Sequence, residues 1–355
     1  MLKRLLVIAG LLSVTFAPLS VGAQISTQSD GKASMPRVVV LSTGGTIAGQ
    51  SRISTDTTNY ASGKISGNEL VSAVPEIAGV ADVVVEQVAN VSSPNLKYSH
   101  LLILSKAATK YLNDESVSGV VITHGTSTAE ETATFLELTV QSNKPVVVVG
   151  AMRPASAISA DGPFNLLQAI SVAADQSAAG RGVMLVANDR ISSAMYTSKT
   201  HTQALDTFQA ADQGHLGVVI GTKPHFFYTP AQPVGKPYFD VTGVDALPKV
   251  DIIYGYAEDD PSFINHARQS GARGIVVAGP GNSSLSSDVA KAVAASMEAG
   301  VPVVRATRVG AGYVTAKKEG IGAGFYNPQK ARLLLALAIN SGASVEQIQK
   351  YFMPY

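Results

Sequence analysis

Short runs of branched apolar residues recur along the chain, and helix-compatible stretches separate several of them. Val38 to Leu41, Val83 to Val88, Val117 to Ile122, Val146 to Val149 and Val183 to Ala187 read as strands. Asn68 to Val74, Ser99 to Leu112 and Ala129 to Val140 read as helices between them. That rhythm predicts an α/β fold, with a mostly parallel sheet covered by helices on both faces.

The composition changes after Gly217-Val218-Val219-Ile220, and the proline-rich stretch Thr229 to Pro248 reads as a linker. A second, smaller α/β unit follows, with strands expected at Val250 to Ile253, Gly274 to Val277 and Val301 to Val304. Its last helix is expected to start at Asn327, a good N-cap, with Pro328 at the first helical position. A chain of 355 residues accommodates two such domains, placed at 37–228 and 249–355 with the linker at 229–248.

Residues 1–23 have the form of a cleaved export signal. Lys3 and Arg4 precede an apolar stretch from Leu5 to Ala17, and Val21-Gly22-Ala23 offers a small-residue cleavage site. The stretch is short of the roughly 20 residues that a membrane-spanning helix needs. Residues 24–36 are polar and small, as in a disordered leader, and the expected location is periplasmic or secreted. Cleavage would remove two positive charges and no negative ones, turning a net charge of +1 into −1. That balance gives no reason to expect nucleic acid or a membrane as partner of the mature chain.

The absence of cysteine rules out thiol nucleophiles and thiolate metal sites. His100, His124, His201, His215, His225 and His266 show no metal-ligand spacing. Neither a metal nor a cofactor is therefore expected, and oxygen nucleophiles with nitrogen bases remain.

Two loops after predicted strands are rich in threonine. In Thr43-Gly44-Gly45-Thr46 the paired glycines allow a sharp turn and close approach to a ligand, which leaves Thr46 either a reactive hydroxyl or a simple cap. The order fits neither common phosphate-loop pattern. In Thr126-Ser127-Thr128-Ala129-Glu130-Glu131, Ser127 with Glu130, or Thr128 with Glu131, has capping-box spacing. Thr126 precedes that cap and would present its hydroxyl and N–H at a helix start, where negative charge is favoured. Lys199 in Ser198-Lys199-Thr200 is the candidate base, because burial makes an ammonium give up its proton more readily.

Several co-linear motifs then resemble one family. Ser42-Thr43-Gly44-Gly45-Thr46-Ile47-Ala48-Gly49, Thr123-His124-Gly125-Thr126, Val149-Gly150-Ala151-Met152-Arg153-Pro154 and Ser159-Ala160-Asp161-Gly162-Pro163-Phe164-Asn165 look like bacterial type II (periplasmic) L-asparaginases and glutaminase-asparaginases. Asn327-Pro328-Gln329-Lys330-Ala331-Arg332 is typical of that family's last helix, and the resemblance runs from Arg37 to Tyr355. It implies the two-domain asparaginase-like fold and hydrolysis of L-asparagine through a threonine acyl-enzyme. Thr46 matches the nucleophile, Tyr60 its partner on a flap, and Thr126 and Lys199 the proton-transfer pair. It further implies a homotetramer acting on a small amide. Asp161 is expected to cap the helix that follows it.

The departures concern the substrate pocket. Ser93 matches the residue that holds the substrate carboxylate, but Pro94, Ser127 and Ser284 stand where the family binds the α-ammonium with Gln, Asp and Asn. A further carboxylate from the neighbouring subunit has no clear counterpart; Glu319 is the only one between Gly310 and Gly324. The expected substrate is L-asparagine, with L-glutamine or an amide lacking the ammonium as alternatives. A periplasmic binding protein without turnover would not require Thr46, Tyr60, Thr126 and Lys199 together.

Overall fold

The computed structural model describes residues 35–353. The expected signal at 1–23 and all of the expected leader before Met35 lie outside them. The first half of the chain builds strands β1 (Arg37–Gly44), β2 (Asp82–Val91), β3 (Val117–Thr123), β4 (Val146–Val149), β5 (Val183–Ala187) and β6 (Arg190–Ser193). A two-residue hairpin, β7 (Ser198–Lys199) and β8 (Phe208–Gln209), is followed by β9 (Gly217–Ile220) and β10 (Lys223–Phe226). Helices α1 (Gly67–Ser72), α2 (Tyr98–Leu112), α3 (Ala129–Thr139) and α4 (Gly162–Ala174) are interspersed. The second half supplies β11 (Val250–Tyr254), β12 (Gly274–Gly279), β13 (Val303–Thr307) and β14 (Ile321–Gly322), with helices α5 (Ser262–Gln269), α6 (Ser287–Glu298), α7 (Pro328–Asn340) and α8 (Val345–Phe352).

The large sheet has the order β10-β9-β6-β5-β4-β3-β1-β2, parallel from β2 to β5 and antiparallel beyond. Its central strands β1, β3, β4 and β5 are largely apolar and buried because both faces are covered there. Val38 and Val40 pack with Leu70 of α1 and Ile170 of α4, whereas Val39 and Leu41 pack with Leu104 of α2 and Leu136 of α3. The far side of α3 meets α7 through Phe135, Leu138 and Leu334, and α7 also covers Val276 and Val304 of the second sheet. Buried on several sides, α7 is apolar from Leu333 to Ala338. The second sheet, β11-β12-β13-β14, is all parallel and covered on its other face by α5 and α6.

One boundary differs from expectation, and the connecting stretch is packed. β13 starts at Val303 rather than Val301, because Pro302 has no N–H to place in the ladder. The stretch 229–248 contains no helix or strand, yet Phe239 and Val241 are buried beside Leu138. This connection is itself packed against α3.

Strand order positions the site. The chain leaves β1 for β2 on one side and returns to β3 on the other, so the order reverses between β1 and β3. Ligands in open α/β sheets bind outside the carboxyl ends of the strands at such a switch point. Ser42 pairs with Thr123, so the loops carrying Thr46 and Thr126 leave neighbouring strands at the same height.

Candidate functional site

Three loops meet at this switch point. Thr43 Oγ1 donates to the carbonyl of Thr123 at 2.8 Å, tying β1 to β3 where both end. Gly45, with φ of +86°, then passes so close to Gly125 that a Cβ on it would lie 2.3 Å from the Gly125 N and Cα atoms. A Cβ on Gly125 would in turn lie 2.7 Å from the side chain of Ser93. Gly45→Ala is thus expected to combine left-handed strain with a backbone clash. We expect a loss of roughly 2–4 kcal/mol of stability, measurable by urea unfolding.

Thr46 begins a short 3-10 turn, Thr46–Ala48, and is 7% exposed. Its Oγ1 lies 2.7 Å from the Tyr60 hydroxyl. Tyr60 belongs to a loop held to the turn by hydrogen bonds between Gln50 and Ala61, and from Lys64 N–H to the Ala48 carbonyl. Across the Gly45–Gly125 contact, Lys199 Nζ donates to Thr126 Oγ1 at 2.8 Å. Thr126 is buried and Lys199 half-buried. Burial pushes the Lys199 ammonium below its ordinary pKa, and nearby Glu130 opposes that shift.

The site therefore has one buried hydroxyl paired with a phenol and a second paired with an amine disposed to lose its proton. A carbonyl placed between them could be attacked by one while the other handled protons. His124, although part of the second loop, has no such capacity. Its Nδ1–H donates to the Gly125 carbonyl at 2.8 Å and its Nε2 accepts from Thr132 Oγ1 at 2.7 Å. Complete burial lowers its pKa to about 4, leaving a neutral structural group.

Ser93 is buried at the head of the third loop, and its carbonyl accepts from Thr128 Oγ1 at 3.1 Å. Pro94 and Ser127 are exposed. Ser284 is also exposed but lies in the second domain, after β12, where its N–H donates to the Pro280 carbonyl. No hydrogen bond among the described residues joins Ser284 to the threonine pairs. Glu319 lies 3.9 Å from Arg305, a buried cation of β13 that also donates to the Glu319 carbonyl.

The expected caps are corrected. Thr128 is the N-cap of α3, but neither proposed box forms, because both carboxylates have partners elsewhere. Glu131 binds Arg332 at 3.1 Å. Glu130 is buried, accepting from Lys199 N–H at 3.3 Å and from Asn327 and Gln329 of the second domain. Asp161 occupies the N-cap of α4, but its side chain caps no backbone N–H of the helix and meets it only through the Asn165 amide, at 3.1 Å. Its carboxylate instead accepts from the N–H groups of Met152 and Arg153, both at 2.9 Å, and so shapes the loop after β4.

Sequence reasoning missed Glu130 and the first turn of α7 as parts of this site. The available signal was Lys330, a cation in the first turn of a helix that is apolar from Leu333 to Ala338, where the dipole disfavours positive charge.

Comparison with known proteins follows the same plan. A family model described as asparaginase, N-terminal, matches residues 37–232, and one described as glutaminase/asparaginase C-terminal domain matches residues 249–352. The chain is 44% identical to L-asparaginase 2 of Bacillus subtilis, over 93% of this chain and 89% of that one. It is 40% identical to L-asparaginase 2 of Escherichia coli, over 96% and 99%. Among solved structures it is similar to one described as a probable cytoplasmic L-asparaginase from Campylobacter jejuni. The TM-score is 0.87 and the identity 42%, over 90% of this chain and all of that one. This match corrects the expectation of a periplasmic or secreted protein: a chain so similar in sequence and fold is described as cytoplasmic, and the segment read as an export signal lies outside the described residues.

Proposed function

Because this chain belongs to the asparaginase family, we propose that it hydrolyses the side-chain amide of L-asparagine to L-aspartate and ammonia. One observation carries the reading: the Thr46–Tyr60 pair at 2.7 Å and the Thr126–Lys199 pair at 2.8 Å flank the contact of Gly45 with Gly125. Thr46 Oγ1 attacks the amide carbon and Tyr60 manages its proton. The N–H of Thr126 supports the oxyanion, and the C–N bond breaks as the leaving nitrogen takes a proton to depart as ammonia. Water then cleaves the Thr46 ester, with Lys199 and Thr126 moving the proton it sheds. Two easier steps replace one hard one, and fixed donors stabilise the charge that develops.

Ser93 would hold the substrate's α-carboxylate, with Pro94, Ser127 and Ser284 around its α-carbon. Ser284 lies in the second domain, and in our reading a neighbouring copy brings it to the site within a homotetramer. A second reading, an amide without the ammonium, is favoured by the exposed hydroxyl of Ser127 and the exposed Pro94, neither of which carries charge. An ammonium deprived of a charged partner loses about 1.5–3 kcal/mol, roughly ten- to a hundredfold in affinity.

Ammonia release from the purified protein with L-asparagine, L-glutamine, D-asparagine and succinamate tests both readings. We expect L-asparagine to be turned over; failure with all four amides would end the hydrolase reading. Should succinamate be preferred, the second reading replaces the first. In either case Ser127→Asp is expected to lower the KM for L-asparagine about tenfold relative to succinamate. An unchanged ratio would show that position 127 does not meet the ammonium.

A further inference from the structure

Lysine is a costly residue for the place that Lys330 occupies. It stands in the first turn of α7, after the N-cap Asn327, and is 1% exposed. A helix N-terminus opposes positive charge, and removing an ammonium from water is expensive. All three of its donors are nevertheless used. Nζ donates to the carbonyls of Ala194 at 3.1 Å, Met195 at 2.9 Å and Thr197. These carbonyls lie in the turn between β6 and β7, just before Lys199.

The same helical turn grips the other side of Lys199. Asn327 Nδ2 donates to Ser198 Oγ at 3.1 Å and to Glu130 Oε2 at 3.5 Å, while Gln329 Nε2 donates to Glu130 Oε1. Glu130, from α3, is 5% exposed and accepts the backbone N–H of Lys199. Its charge acts on both Lys199 and Lys330. Beside Glu130, Glu131 is paired with Arg332 at 3.1 Å and feels the same charge, whereas Thr126, Ser198, Asn327 and Gln329 do not ionise near neutrality.

We propose that the first turn of α7, through Lys330 and through the Gln329–Glu130 hydrogen bond, positions Lys199 and sets the charge it faces. The C-terminal domain would in this way govern the amine that meets Thr126. The proposal rests on the reading of Lys199 as a proton-transfer group. Glu130, Asn327, Gln329 and Lys330 are positioning residues, since none touches a reacting atom. Glu130 is hydrogen-bonded by Asn327, Gln329 and the Lys199 backbone rather than by either ammonium, so the donors on that carboxylate decide how much of its charge reaches Lys199. Removing a donor concentrates the charge of Glu130 and tightens that hold; neutralising Glu130 loosens it. A joint that merely fastened two domains would not produce opposite shifts.

The test is a 15N NMR titration of Lys199 Nζ in the full chain, assigned by its loss in Lys199→Arg. Gln329→Met is expected to raise the midpoint by roughly half a pH unit or more, and Glu130→Gln to lower it by a similar amount. Lys330→Met, corrected for folded fraction, is expected to lower kcat at least about tenfold with KM changed less than about twofold. Should Lys330→Met fail to fold, Gln329→Met decides alone, because it leaves the N-cap and the buried ammonium in place. A midpoint unmoved within about 0.2 unit in Gln329→Met, or moved in the same direction by both variants, would overturn the proposal. An active wild type with unmoved midpoints would sink this inference alone. Opposite shifts in a chain that releases no ammonia would uphold the electrostatic coupling and sink the hydrolase reading instead.

Discussion

Replacing Thr46 by alanine is expected to reduce ammonia release at least about a thousandfold, through kcat, while the fold is retained. The hydroxyl sits on a short turn whose backbone is fixed by Gly45 against Gly125, and none of those constraints uses the Thr46 side chain. Alanine keeps Cβ and removes Oγ1, the atom 2.7 Å from the Tyr60 hydroxyl, together with the small Cγ2 methyl. Without it the acyl-enzyme cannot form, and direct attack by water must cross the larger barrier. Steady-state kinetics with thermal unfolding of the same preparation checks this. Wild-type unfolding with near-wild-type kcat would remove Thr46 from the chemistry.

The second large effect is expected at Lys199. Arginine there retains a positive donor for Thr126 but cannot lose its proton in the working pH range, so Lys199→Arg separates charge from basicity. We expect a fall in kcat of about a hundred- to ten-thousandfold. Burial lowers the pKa of Lys199, and in the proposed mechanism the neutral amine is the active form. The wild-type rate should therefore rise with pH until that amine is deprotonated, and this limb should vanish in Lys199→Arg. A variant that regained activity at higher pH would show that the limb belongs to another group. Thr126→Ala should lower kcat as well, and the double variant should lose less than the two single effects together, because the hydroxyl and amine act as one unit.

Much of the framework was legible in the chain because it depends on local pattern. Branched runs such as Val146 to Val149 can be continuous only where both faces of a sheet are covered. Glycines beside threonines at strand ends mark backbone that must turn or approach closely. What depended on distant residues was not legible. The partners of Glu130 include Gln329, 199 positions away, and nothing in Ser127-Thr128-Ala129-Glu130-Glu131 distinguishes a capping box from a carboxylate reserved for another domain. Asp161 is similar: its N-cap position is a local property, but its grip on Met152 and Arg153 is a tertiary one. The hairpin carrying Lys199 has strands of two residues each, too short for any periodic signal.

Two threonines face this site, and which of them becomes acylated is the centre of the mechanism. Rapid acid quench of the wild-type enzyme during turnover, followed by peptide mass spectrometry, answers this directly. Our account predicts an acyl adduct on the peptide containing Thr46, absent in Thr46→Ala and accumulating in Lys199→Arg, where its hydrolysis is slowed. An adduct on the peptide containing Thr126 and none on Thr46 would contradict it.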